Sequence, residues 1–163
     1  MEITLSRSEF FTLMALARAE GIIGLDPEQL LPAKPAQRQA LYSQGEASLM
    51  QRGLLRATSA QEVALEESLL RQVLTITQPE FAVVSIKTVP EVGRLLFLHY
   101  EREGHWVEQT LPDDATHRLA DIGENRALLQ RLQAIFPLTD SSSGGRSFRA
   151  DNVALLQAYE AAS

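Results

Sequence analysis

The sequence predicts an α+β domain with amino-terminal helices, an antiparallel β-meander and carboxy-terminal helices. Three observations carry this. An S-x-x-E helix start at Ser6 to Glu9 precedes a stripe of apolar residues at helical spacing. After Pro79 the hydrophobic period changes from about 3.6 to 2. A Glu103-Gly104 turn then separates two runs of alternating residues, the pattern of a hairpin.

Ser6-Arg7-Ser8-Glu9 starts the first helix because the hydroxyl and the carboxylate each satisfy a backbone N–H that the first turn leaves unpaired. Phe10, Leu13, Met14 and Ala17 follow on one stripe, and Ile3 and Leu5 just ahead alternate as a short strand that could join the later sheet. Gly21, Gly24 and Pro27 end the helix, and Pro32 with Pro35 bracket a second turn. From Pro35 the pattern is helical to Arg52. Leu41, Gly45 and Leu49 recur every four residues, and the glycine marks a place of close helix packing. Gly53 suits the left-handed position after a helix, and Leu54-Leu55-Arg56 leaves as a short extended piece. Thr58 or Ser59 caps a third helix to about Ile76, with Val63, Leu69, Leu70, Val73 and Leu74 inward and Glu67 set four residues before Arg71 for an ion pair.

Phe81 to Thr88 is rich in β-branched residues, residues 89–93 form a turn or loop, and Arg94 to Arg102 and His105 to Leu111 are the next strands. A two-residue loop at Glu103-Gly104 makes paired positions sum to 207, so His99 faces Glu108, Tyr100 faces Val107 and Glu101 faces Trp106. Alternation then sorts the faces. Leu96, Leu98, Tyr100, Val107 and Leu111 make a core face; Leu95, Phe97, His99, Glu101, Trp106, Glu108 and Thr110 make a mixed one. Two expectations follow for the mixed face. Either Leu128, Leu132 and the carboxy-terminal helix cover it, or Leu95, Phe97, His99 and Trp106 form a protein-binding surface anchored by the two aromatics.

Thr116 to Ile122 is a last short strand. A helix from about Glu124 to Phe136 follows, with Leu128, Leu129, Leu132 and Ile135 as its stripe and Pro137 as its stop. The organisation is therefore an α+β domain over 1–138, a flexible Ser/Gly linker over 139–147, and a carboxy-terminal helix over 148–163 that bears Val153, Leu155, Leu156 and Tyr159.

Composition narrows the chemistry. Zero cysteines in 163 residues exclude a disulfide framework, a thiol nucleophile and thiolate metal sites. The net charge of −6 is split evenly between the halves, and the two lysines, Lys34 and Lys87, offer little phosphate neutralisation, which argues against nucleic acid as the partner. No run approaches the ~18 apolar residues of a membrane span, and no leader-like start is seen, so a cytoplasmic protein with no membrane contact is expected. His99, His105 and His117 lie near the hairpin, but His99 and His105 fall on opposite faces, so neither a metal nor another cofactor is expected. No serine occupies a G-x-S-x-G elbow. Ser141 to Arg146 lacks phosphate-loop spacing and reads as linker, and Arg126, Arg131, Arg146 and Arg149 form the one local basic excess.

The succession LSRSEFFTLMAL, a helix ending LMQRGLL, then VALEESLLRQVL and the strands AVVSIKT, RLLFLHY and HWVEQTL resembles one half of the cytosolic EspG-type chaperones of type VII secretion. The resemblance spans roughly residues 1–136. It implies a fold whose full form is a pseudo-twofold pair of α+β halves, no enzymatic activity, and a surface that holds secreted helical substrates. A chain about half that length fits a homodimer in place of the internal pseudo-symmetry. The expectation is thus a non-enzymatic protein-interaction domain, an adaptor or secretion-type chaperone, with a protein partner and a homodimeric state. The alternative is a winged-helix DNA-binding transcriptional regulator with residues 35–52 as recognition helix, although Arg38 and Arg52 are offset there by Glu46.

Overall fold

A computed structural model describes residues 2–26, 34–59, 62–113 and 115–137. The expected linker at 139–147 and helix at 148–163 lie outside the described residues. Strand β1 (Glu2–Ser6) turns Ile3 and Leu5 inward and passes directly into helix α1 (Arg7–Leu16). The capping box forms as the sequence predicts: Ser6 N–H donates to Glu9 Oε2 at 2.8 Å, and Glu9 N–H donates to Ser6 Oγ at 3.2 Å. Helix α2 (Pro35–Gln51) lies against α1 and ends at Gly53, whose φ of 70° permits the paired closing bonds from Leu54 N–H to Leu49 O and from Gly53 N–H to Met50 O.

The two helices approach closely at Gly45, where an added Cβ would collide with the backbone O of Ser8 and with Thr12 Oγ1. Thr12 Oγ1 itself bridges the helices by donating to Tyr42 O at 3.0 Å. Gly45→Ala is therefore expected to destabilise the fold by about 1–3 kcal/mol, the usual cost of overpacking, despite alanine's better helix propensity. Gly21→Ala, where a Cβ meets nothing, should be close to neutral. Urea titration of both variants checks the contrast.

The stretch after Gly53 departs from expectation. Leu55–Ala57 (β2) and Val63–Leu65 (β3) pair as a small antiparallel hairpin, and helix α3 spans only Glu67–Thr77. Glu66, not Thr58 or Ser59, is the cap: its carboxylate accepts from Leu69 N–H at 3.0 Å. Thr58 N–H instead donates to Glu62 O, closing the hairpin. Val63 is accordingly an exposed strand residue, and Leu70 also faces solvent, while Leu69, Val73 and Ile76 hold the buried stripe. Arg71 reaches Asp121 at 3.7 Å across the fold.

Strands β4 (Phe81–Val89), β5 (Gly93–Arg102), β6 (His105–Asp113) and β7 (Thr116–Gly123) complete an antiparallel sheet of order β1-β7-β6-β5-β4. The hairpin register is the predicted one, with His99 opposite Glu108, Tyr100 opposite Val107 and Glu101 opposite Trp106. Glu103 and Gly104 both take positive φ, 54° and 80°, matching the twist of a two-residue turn. One sheet face, with Ile3, Leu5, Leu98, Tyr100, Val107 and Leu119, packs on Phe10 and Leu13 of α1 and Leu69, Val73 and Ile76 of α3 to form the core. The buried Tyr100 hydroxyl donates to Ile23 O at 2.7 Å, tying the loop after α1 to this face. Helix α4 (Asn125–Ile135) occupies the opposite side of the sheet.

Candidate protein-binding face

The second sheet face is mixed in sequence: its polar residues anchor α4, and Leu95 remains exposed at one end. Trp106 Nε1–H donates to Asn125 Oδ1 at 2.7 Å at the start of α4. Arg131 forms a two-pronged pair with Glu108, Nε to Oε2 at 2.8 Å and Nη2 to Oε1 at 2.6 Å. Lys87 Nζ donates to Ile135 O at 2.8 Å, placing a cation on the last carbonyls of the helix. Leu128 and Ile135 are buried beneath it, whereas Leu129, expected in the stripe, points to solvent.

Under this helix lies a buried polar pair. His99 is fully buried, with Nε2 3.1 Å from Glu108 Oε2 and no hydrogen-bond partner at Nδ1. Burial by itself would raise the Glu108 carboxyl, but the hydrogen bonds from His99 and Arg131 and the Arg131 charge outweigh it and hold it down at about 2. Glu108 is therefore a carboxylate that fastens α4 to the sheet.

The four residues expected at a binding surface part into two pairs. His99 and Trp106 are buried by the sheet and α4, so neither is presented to a partner while α4 is docked. Leu95, 37% exposed, and the half-buried Phe97 remain at the open end of the face, cross-strand from Lys87 and Ser85 of β4. Sequence reasoning passed over Arg131 as a fastener; the 23-residue separation from Glu108 left no local signal. It also passed over the exposed Val84 and Ile86, which lie on the other face of β4, cross-strand from Leu98 and Leu96, although the single charge in FAVVSIKTV was visible.

The other chemical candidates are dispersed. His117 is in the core, stacked on Phe10 at 3.9 Å and hydrogen-bonded to Gln109, and His105 sits beside the hairpin tip. Among the described residues no group of three His, Asp or Glu side chains is arranged to hold a metal. Arg52, a cation of the helix considered for DNA reading, is committed to Glu9 at 2.8 Å and to Thr4 O at 3.1 Å. Among the described residues no helix is long and apolar enough to cross a membrane.

Helices on both sides of a five-stranded antiparallel sheet, with buried charges that fasten elements together, define an α+β scaffold whose fold is similar to that of a solved type VII secretion chaperone. The particular likeness is to the solved structure of the Mycobacterium tuberculosis type VII secretion system chaperone EspG5 in complex with the PE25-PPE41 dimer, at 16% identity and a TM-score of 0.55. The match covers 83% of this chain and 52% of that one, so this chain spans about half the length of the structure it resembles. No protein-family model and no curated protein matches the sequence.

Proposed function

We propose that this chain is a non-enzymatic protein-binding module, an adaptor or secretion-type chaperone of the cytoplasm, that works as a homodimer and takes its partner on the open end of the second sheet face. The observation that carries the reading is that α4 covers His99 and Trp106 but leaves Leu95 exposed and Phe97 only half-buried on the same sheet face. The likeness of fold to a chaperone solved with a protein partner supports the same class. Leu95 and Phe97 contact the partner, and His99 and Trp106 lie behind them as the buried layer that holds the strands and α4 in place.

The test is co-purification of the tagged full chain from its native host, compared with Leu95→Glu, followed by mass spectrometry. A partner present in stoichiometric amount with the unaltered chain should fall about tenfold with the variant, the equivalent of roughly 1.4 kcal/mol. Circular dichroism confirms that both are folded. Equal recovery with both chains, or no partner with either, overturns the assignment.

A further inference from the structure

We propose that the outer edge of β4 pairs antiparallel with β4 of a second copy about a two-fold axis at Ser85, joining two five-stranded sheets into one. This rests on the homodimer reading above and names the surface that makes it.

β4 is an end strand, paired through all nine residues with β5 and free of register shifts. Among the described residues no strand pairs with its outer side. Edge strands are normally blunted by shortness, proline, bulges or outward charge. β4 has none of these, since its one charge, Lys87, is turned to Ile135 O of α4. The opposite edge, β1, is blunted: it has five residues, and Arg52 donates to Thr4 O.

Exposed apolar surface concentrates at the same place. Of the ten large hydrophobic side chains exposed among the described residues, Phe81, Val84, Ile86, Val92 and Leu95 all belong to β4, its turn or the start of β5. Val84 and Ile86 are 47% and 40% exposed and share one face of the strand. A two-fold at Ser85 sets Val84 opposite Ile86 of the second copy in both directions, so each exposed side chain gains an apolar cross-strand neighbour. The same register places Lys87 opposite Val83, and no like charges meet. A second copy is the occupant this strand fits because the strand is complementary to itself. Pairing would also set the two Leu95/Phe97 surfaces about 14 Å apart on one continuous sheet, given strand spacings of about 4.8 Å.

The native chain lacks cysteine, so Ser85→Cys places a single thiol on the axis, where cross-strand Cβ separations allow a disulfide. Mild oxidation should convert it to a covalent dimer, while Ser43→Cys on exposed α2 should stay uncrosslinked. By light scattering at tens of micromolar, the native chain should run at twice its 18.0 kDa mass and Val84→Lys/Ile86→Lys at 18.0 kDa with unchanged circular dichroism. If the double variant does not fold, the Ser85→Cys disulfide decides. A native monomer overturns the homodimer reading and this inference together; if its β4 amides are protected from hydrogen exchange, a segment of its own chain occupies the edge. A dimer that survives the lysines, or in which Ser85→Cys does not crosslink, keeps the homodimer and overturns only the β4 assignment.

Discussion

Arg131→Ala is expected to cost about 2–3 kcal/mol at neutral pH and to loosen α4 from the sheet. Glu108 is 3% exposed, and its carboxyl is held at about 2 against an ordinary value of 4.5, a gap worth about 3 kcal/mol, of which Arg131 supplies part and His99 the rest. Because the folded value lies below the unfolded one, this stabilisation is present above pH 4.5 and is lost as pH falls toward 2. The variant should therefore lose the Arg131 part of the pH dependence in that window and keep the part that His99 supplies. Trp106, the one tryptophan, reports the event directly: with its Nε1–H bonded to Asn125 of α4, undocking should shift its emission to the red. Arg131→Lys keeps a charge but not the two-pronged geometry and should recover only part of the loss. Arg126→Ala, on the exposed part of the same helix, should change stability by about 0.5 kcal/mol or less. An Arg131→Ala protein with native stability, emission and acid profile would show that the pair does not fasten α4.

The elements that proved legible are those whose signal is local and redundant. The Ser6/Glu9 box, Gly45 and Gly53 each state one backbone requirement, and each is met. The β5–β6 register was legible to the residue because a two-residue turn leaves no freedom in the pairing. The β2–β3 hairpin was not. Three-residue strands carry too little alternation to compete with the helical spacing of Val63, Leu69, Leu70 and Val73, and only the Glu66 carboxylate marks where the helix begins. Leu70 and Leu129 erred in the same way. Each is one residue, hence about 100° around the helix, from the truly buried Leu69 and Leu128.

Face composition was legible for the candidate site, but coverage was not. Alternation tells that His99 and Trp106 share a face with Leu95 and Phe97, and it is silent on where a helix that begins 19 residues after Trp106 will dock. What settled the difference is a long-range set of polar contacts, Trp106 to Asn125, Glu108 to Arg131 and Lys87 to Ile135 O. Such contacts have no periodic signature in a single sequence. The apolar edge of β4 lies between the two cases: its composition was visible, and its position at the end of the sheet was not.

Phe10→Ala is expected to have the larger effect, about 3–5 kcal/mol, as a fully buried aromatic removed from the centre of the core. Its second consequence concerns acid. The His117 ring lies flat against Phe10, 3.9 Å between centroids and 8° between planes, and burial first, with the nearby Arg7 charge second, pushes it from 6.5 down to about 4. A depressed folded value means that the unfolded chain binds the proton first. Stability from this group is therefore present above pH 6.5 and lost as pH falls through 4, by about 3 kcal/mol in total, before the Glu108 loss begins to dominate. Alanine at position 10 opens space and water to the ring, so His117 should return toward 6.5 and the variant should lose less on acidification than the native chain does. The stability gap between the two should narrow by about 1–2 kcal/mol between pH 7 and pH 4.5. Phe10→Leu, which keeps apolar cover over the ring, should cost far less and retain the native pH profile. Urea titrations of the three chains at both pH values make the comparison, and a gap that stays constant would mean that the acid response of His117 does not depend on the Phe10 stack.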